Sequence, residues 1–343
     1  MQLKIQQANL SDIGKKRTAN EDYYGFFEIN KLKIFIVSDG MGGYKGGALA
    51  SHIVVDTVKE HFESNCNDMN DISGLIKEAL VQSDKRIKEK ADSKPDLKEM
   101  GATAVILVIK DDKAYIAHIG DSRIYLIRDN QIRRLTKDHS LVQQMLDGGL
   151  ITEELAKNHP NRNVITHSLG YGGKSEPEIQ SPFQLYRKDV IILCTDGLTG
   201  HVDDDEIREI CLKNESVTAV YKLIDLANER GGKDNITVQL IKVLNGKRRP
   251  LSHKVKKQIL NSFLYALIPL FALLLTVIAF YFFGLFDKKG DRETKREVIK
   301  TLTDSVTNTK LLEKDSLKKV SDSDTVVKNL ADSLYKGKSK NRE

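Results

Sequence analysis

Cysteine is scarce in this chain and forms no pattern. Cys66, Cys194 and Cys211 are the three present, with no Cys-x-x-Cys pair among them. So odd and sparse a set argues against a disulfide framework and suits a reducing compartment. Histidine and cysteine also lack the ligand spacing of a zinc site, which disfavours zinc as the working metal. A P-loop and a dinucleotide fingerprint are both missing. The run Gly40–Gly47 is rich in glycine and precedes a helical pattern, but it lacks the Gly-Lys-Ser/Thr ending of a phosphate cradle. Basic stripes are missing from the first 245 residues as well. The net charge of +6 arises from 54 basic against 48 acidic residues, so it reads as solvated surface and nucleic acid is not expected as a partner. Finally, the N-terminus MQLKIQQANL has no apolar h-region and no small-residue cleavage site. Without a signal peptide, residues 1–245 are expected to stay in the cytoplasm.

Against these absences stands one long apolar run. From Phe263 to Phe286, 24 residues counted inclusively, the chain carries no charge. About 20 apolar residues span a bilayer core, and buried soluble helices seldom run so far without a polar face. A single transmembrane helix is therefore predicted over 263–286, with Pro269 placed to kink it. Its flanks do not orient it: Lys247, Arg248, Arg249, Lys254, Lys256 and Lys257 precede it, and Lys288, Lys289, Arg292, Lys295, Arg296 and Lys300 follow. The missing signal peptide places the N-terminal part inside. Residues 246–262 read as a basic linker next to the membrane, able to touch anionic headgroups. Residues 287–343 are rich in Lys, Asp, Ser and Thr and are expected to be a disordered tail without activity.

The first 245 residues alternate strand and helix patterns. Strand-like runs cover Leu32–Ser38, Ala102–Ile109, Lys113–Ile119, Arg123–Arg128, Val190–Thr195 and Ile236–Val243. Helical spacing shows at Ala50, Val54, Val58 and Phe62, at Ile76, Leu80 and Ile87, over Ser140–Asp147, and over Val217–Arg230, which Gly231-Gly232 stops. Consecutive strands joined by short turns such as Asp111-Asp112 favour antiparallel pairing, hence an α+β fold with layered helices and sheets.

Acidic residues sit at the ends of these strands or beside glycine turns: Glu21 and Asp22, Asp39 before Gly40, Asp121 after Gly120, Asp196 before Gly197, and Asp234 before Asn235. Singly, each has a plain explanation as a hairpin or Asx turn. Together, carboxylates delivered by several strand ends would repel one another at one sheet rim unless a cation neutralised them. All-oxygen donors suit Mg²⁺ or Mn²⁺, and two such ions would acidify a water for in-line attack on phosphorus. An arginine nearby could grip the phosphate with its fork. The chemistry implied is phosphoester hydrolysis.

Six motifs occur in order: Arg17-x-x-Asn20-Glu21-Asp22, Asp39-Gly40-Met41-Gly42-Gly43, Gly101-Ala102-Thr103-Ala104, Gly120-Asp121-Ser122-Arg123, Thr195-Asp196-Gly197-Leu198 and Lys233-Asp234-Asn235. Jointly they resemble the metal-dependent type 2C protein phosphatases of bacteria, over about residues 1–245. The resemblance implies a four-layer α-β-β-α sandwich of two antiparallel sheets and hydrolysis of phosphoserine and phosphothreonine on proteins. It also implies two core Mn²⁺ or Mg²⁺ ions with a weaker third. Asp39 matches the carboxylate bridging the core ions. Asp196 and Asp234 match ligands of the first ion, and the Gly40 carbonyl, with Glu21 acting through water, serves the second. Asp121 with Asp196 matches the third position. Asp22 would hold metal-bound water, Asn235 would support the site, and Arg17 would grip the phosphate. Residues 150–188 correspond to the family's mobile flap. Met41 stands where eukaryotic members often carry a proposed proton-donating histidine, so metal-bound water is the expected donor to the leaving group. His118 reads as a packed strand residue and His139 as structural. The partners implied are a Ser/Thr kinase and its targets. Two other classes share parts of the pattern: a non-catalytic adaptor or sensor keeping the fold, and a phosphatase acting on small molecules or nucleotides. All the acidic positions are intact, which disfavours the adaptor.

Overall fold

The computed structural model describes residues 3–43, 45–65, 70–171 and 174–249. Beyond these it describes only 267–268, 271–278, 297, 300–301 and 303. The chain divides into two units, Met1–Pro250 and Leu251–Glu343.

The first unit opens with β1 (Ile5–Asp12), β2 (Asp22–Ile29) and β3 (Leu32–Met41), followed by α1 (Gly46–Ser64) and α2 (Ile72–Asp92). A run of short-turn strands comes next: β4 (Gly101–Ala102), β5 (Ala104–Lys110), β6 (Lys113–Ile119), β7 (Arg123–Arg128) and β8 (Gln131–Arg134). Small elements then cross the surface, α3 (Leu141–Asp147), α4 (Glu153–Lys157), β9 (Leu169–Gly170), β10 (Glu178–Ile179) and β11 (Phe183–Gln184). The unit closes with β12 (Val190–Cys194), α5 (Asp196–Thr199), α6 (Asp204–Lys213), α7 (Ser216–Glu229) and β13 (Ile236–Val243).

One sheet has the order β1-β13-β12-β7-β8. The other runs β10-β6-β5-β3-β4-β9, with β2 also on β3 and β11 on β6. Every pairing between named strands is antiparallel. Alternation along the strands explains the layering. In β3, Phe35 and Val37 join Leu107, Ile191, Leu193 and Ile241 between the two sheets. Ile34 and Ile36 point the other way, onto Val54, Val58 and Leu80 of α1 and α2. On the opposite sheet Ile192, Cys194 and Leu240 pack against Ile207, Leu223 and Ile224 of α6 and α7. Strands apolar on both faces are what a sheet covered on both sides requires, and the result is helices, sheet, sheet, helices.

The predicted run Ala102–Ile109 is broken at Thr103. There the Thr103 amide donates to the Asp39 carbonyl (2.8 Å), while its Oγ1 accepts from the Asp39 amide (3.1 Å). A side chain replaces a backbone partner at that step, and the ladder divides. Strand β2 and helix α6 add to the elements read from sequence, and the early strand ahead of Arg17 is β1; α6 opens with a capping box between Asp203 and Glu206. Helix α3 starts at Leu141, with the Ser140 hydroxyl accepting from the Gln143 amide as its cap.

The compact unit runs past the boundary at residue 245. The Lys247 carbonyl accepts from the Arg187 amide (3.0 Å), the Lys247 ammonium lies 3.0 Å from Asp112, and Arg249 pairs with Asp129. The start of the basic linker therefore lies on the folded body. Among the described residues no helix is long and apolar enough to cross a membrane. Most of the predicted span 263–286 lies outside the described residues, as do Cys66 and nearly all of the tail 287–343. Within the span, 267–268 and 271–278 are helical, and Leu267, Ile268, Phe271 and Leu273 are exposed.

Candidate metal centre

Antiparallel pairing puts the carboxyl ends of β1, β3, β6 and β12 beside the amino ends of β2, β5, β7 and β13. Every acidic position singled out above lies at that one end of the two sheets. Asp22 and Asp39 face each other across the β2–β3 register. Glu21 immediately precedes β2, Asp121 lies in the β6–β7 turn, Asp196 opens α5 just after β12, and Asp234 leads into β13.

Fixed hydrogen bonds brace the residues that carry these carboxylates, and at Asp22 they reach the carboxylate itself. Asp22 Oδ2 accepts from Thr195 Oγ1 (2.9 Å) and Thr237 Oγ1 (2.7 Å). The Thr103 hydroxyl that receives the Asp39 amide also meets Ser122 Oγ at 2.8 Å. Asn235 Oδ1 accepts from the Glu21 amide (2.8 Å), and its Nδ2 donates to the carbonyls of Ile13 and Ala19. It thereby ties the β1–β2 loop to the Asp234 turn. Behind Asp121, Arg123 grips both oxygens of Asp138, its Nη2 at 2.6 Å from Oδ2. Thr103, Ser122 and Thr195 lie within the sequence motifs without an expected role, and Thr237 lies outside them. A threonine in a strand reads as ordinary strand propensity, and only the cross-strand register reveals what its hydroxyl supports.

Four buried carboxylate oxygens have no hydrogen-bond partner: Glu21 Oε1, Asp22 Oδ1, Asp121 Oδ1 and Asp196 Oδ1. Buried polar atoms are ordinarily satisfied, so a group of orphans at one place marks the seat of something else. Electrostatics agrees. Burial, then the neighbouring Asp22, Asp196, Asp121 and Asp234, hold the Asp39 carboxyl well above the usual range. Burial, then Asp196 and Asp138, do the same to Asp121. Burial outweighs its two threonine bonds and raises Asp22 to about 7. Asp196 is pushed up to about 6, by burial and then Asp234. Glu21 is raised by burial although Arg17 opposes it. Like charges gathered out of water are costly unless a cation compensates them.

Space for a cation is kept open by Gly47. A Cβ there would lie 2.8 Å from Glu21 Oε1 and 2.9 Å from the Gly40 carbonyl oxygen, crowding both. An all-oxygen donor set of this kind fits Mg²⁺ or Mn²⁺. Arg17 sits at the mouth with its side chain 44% exposed, its guanidinium 2.8 Å from Asp234 Oδ2 and 3.4 Å from Glu21 Oε2. The structure thus brings together Arg17, Glu21, Asp22, Asp39, Gly40, Asp121, Asp196, Asp234 and Asn235.

With this geometry in view, the chain compares as follows. The profile for "Protein phosphatase 2C" matches residues 14–244. A "Serine/threonine phosphatase stp" of Listeria welshimeri is 38% identical over 237 residues, which cover 67% of this chain and 93% of the relative. "Protein phosphatase PhpP" of Streptococcus pneumoniae is 36% identical over 236 residues, 68% of this chain and 95% of its own. Among solved structures, the Mycobacterium tuberculosis serine/threonine phosphatase PstP matches with a TM-score of 0.65 and 31% identity, over 70% of this chain and 99% of that one. A catalytic domain of PstP, solved with two manganese ions, matches with a TM-score of 0.63 and 31% identity, over 71% and 100%. The chain belongs to the protein phosphatase 2C family and is a metal-dependent serine/threonine protein phosphatase.

Proposed function

We propose that the rim carboxylates hold two Mg²⁺ or Mn²⁺ ions and that this centre hydrolyses phosphoserine and phosphothreonine on proteins at a membrane surface. The observation that carries the reading is the convergence of four unpartnered buried carboxylate oxygens with Gly47 leaving the space between Glu21 and Gly40 open. Asp39 would be shared by both ions. Asp196 and Asp234 would complete one position, and the Gly40 carbonyl, with Glu21 behind a water, the other. Asp121 with Asp196 offers a third, weaker position. When bound, such ions supply a water acidic enough to attack phosphorus and neutralise charge building on the phosphate oxygens. The chain's own residues do the rest. Asp22, locked by two threonine hydroxyls, orients water from below. Asn235 fixes the backbone that presents Glu21. Arg17, half exposed at the mouth, meets the incoming phosphate with a planar fork suited to two of its oxygens.

The test is phosphate release by the full chain from phosphothreonine and phosphoserine peptides, against added Mn²⁺ or Mg²⁺. Turnover should need the cation, vanish with chelator, and fall at least about a hundredfold in Asp39→Asn, since loss of a group central to transition-state electrostatics costs that much or more. Well-folded protein, loaded with the cation and turning over neither peptide, would sink the enzymatic reading and leave a non-catalytic adaptor.

The same proposal puts the first unit in the cytoplasm, anchored by residues 263–286. Its support is the uncharged run of sequence together with the exposed apolar side chains at 267–268 and 271–278. Lys247 and Arg249 are engaged with Asp112 and Asp129, which leaves Arg248, Lys254, Lys256 and Lys257 as the basic residues for anionic headgroups. Substrates would then be phosphoproteins at that surface, with a Ser/Thr kinase and its targets as the natural partners. Cell fractionation decides it: the full chain should stay with membranes through an alkaline wash, and a chain ending at Arg249 should be released. A full chain that washes off refutes the anchor.

A further inference from the structure

We propose that His118, His139 and Glu178 form a second cation site, made for an imidazole-preferring ion such as Zn²⁺ and separate from the carboxylate centre. The inference is independent of the phosphatase reading. Each of the three residues offers one ligand atom, and these atoms lie within 4.8 Å of one another.

The fully buried His118 carries the clearest sign. Its Nε2 donates to the Lys137 carbonyl at 2.8 Å, which leaves the Nδ1 lone pair free, and Nδ1 is buried without a partner. A metal-bound imidazole typically has this arrangement, one nitrogen tied to a carbonyl so that the other is aimed and basic. Glu178 lies directly opposite His118 in the β10–β6 register. The His139 ring stacks on His118 with centroids 4.6 Å apart, and its Nε2 stands 3.8 Å from Glu178 Oε2. The Gly120 amide reaches His139 Nδ1 at 3.3 Å, a long bond that the ring can give up as it turns onto an ion. Burial, then the nearby His118 and His167 rings, lower His139 to about 4, so its imidazole is neutral near pH 7 and able to ligate. His118 is lowered as well, chiefly by burial.

Donor chemistry separates the two sites. Two imidazoles and one carboxylate suit zinc, which commonly takes three protein ligands and keeps a fourth position for water. Oxygen donors alone suit Mg²⁺ and Mn²⁺. Position gives the second site a structural consequence. His118 belongs to β6, His139 precedes α3, and Glu178 lies in β10 within the 150–188 segment. An ion shared by all three would tie that segment, through Glu178, to β6 and to the chain entering α3. The sequence separations, 118 to 139 to 178, resemble no zinc motif, so pairing register alone discloses the cluster.

The experiment titrates Zn²⁺ into the full chain carrying Asp39→Asn, in excess Mg²⁺, against a chromophoric chelator. One equivalent should bind, and adding either Glu178→Gln or His139→Gln should weaken it at least about tenfold, the smallest loss usual even for a residue that only supports a ligand. The Glu178 side chain is 48% exposed, so its substitution leaves the fold intact and the comparison interpretable. Failure of Asp39→Asn protein to retain Zn²⁺ against the chelator would overturn the proposal. So would an equivalent that Glu178→Gln does not weaken.

Discussion

At the scale of single residues, Gly47 is the most exposed to test. Its missing Cβ is the space between Glu21 Oε1 and the Gly40 carbonyl, yet the residue sits in the first turn of α1. Gly47→Ala therefore sets two effects against each other. Alanine is the better helix former by up to about 1 kcal/mol, but its Cβ would lie 2.9 Å from the Gly40 backbone oxygen and force a shift there, so the chelated protein should denature in urea somewhat earlier than wild type. The Mn²⁺ concentration for half-maximal turnover should rise at least about tenfold as the methyl crowds the donors. Unchanged metal dependence would mean that the space serves no cation. The acidic residues were legible in the sequence because each stands beside glycine or at the end of an apolar run. Gly47 was read only as one of several glycines, since its purpose depends on Glu21 and Gly40, which reach it through other elements. The threonine pair under Asp22 was hidden for the same reason: Thr195 and Thr237 lie 42 positions apart in the chain and meet only through β12–β13 pairing.

Among elements, the turn between α7 and β13 does more than stop a helix. Gly231-Gly232 was readable as a helix terminator, and both residues have positive φ, +127° and +50°. What the pattern did not disclose is that the Gly232 carbonyl accepts from the amides of Lys15 and Lys16 (2.8 and 3.2 Å). One turn thus positions Asp234 on its own strand and Arg17 on the β1–β2 loop. An alanine at 232 would take up a left-handed backbone at a cost of about 1–2 kcal/mol, with its Cβ 2.8 Å from the Lys15 amide and 2.4 Å from Asn228 Oδ1. Gly232→Ala should lower the urea midpoint accordingly and also raise KM for a phosphopeptide, because Arg17 moves with its loop. A stability loss with KM unchanged would show that the turn does not position Arg17. The central strands were legible because they are apolar on both faces. Strand β1 was legible only as an early strand without bounds, because IQQANLSD mixes polar and apolar residues and is only partly buried at the edge of its sheet.

For the whole molecule, the carboxylate rim is a concentration of unfavourable charge that the two sheets hold together until a cation compensates it. That makes stability a function of both metal and pH. In chelated protein the buried carboxyls keep their protons to higher pH than in the unfolded chain, Asp22 to about 7 and Asp196 to about 6, against about 4 for a free aspartate. A group whose folded pKa is raised contributes fully below the unfolded value and loses that contribution as pH climbs through the folded one. Between about pH 4 and pH 7 these groups therefore make the metal-free fold progressively less stable. His139 acts in the opposite sense over part of the same window, because its folded pKa is lowered to about 4. A single stability curve would mix the two. The difference between Mg²⁺-loaded and chelated protein cancels the histidine term and isolates the rim, where cation and proton compete for the same oxygens. Urea midpoints measured in pairs, with Mg²⁺ and with chelator, should lie close together at pH 5 and separate steadily toward pH 7.5, chiefly because the chelated midpoint is held down. Asp39→Asn should shrink the separation across the range. A gap that is constant with pH would mean that the rim carboxyls are already ionised in the metal-free fold, and the account of the site as a cation-compensated charge cluster would fail with it.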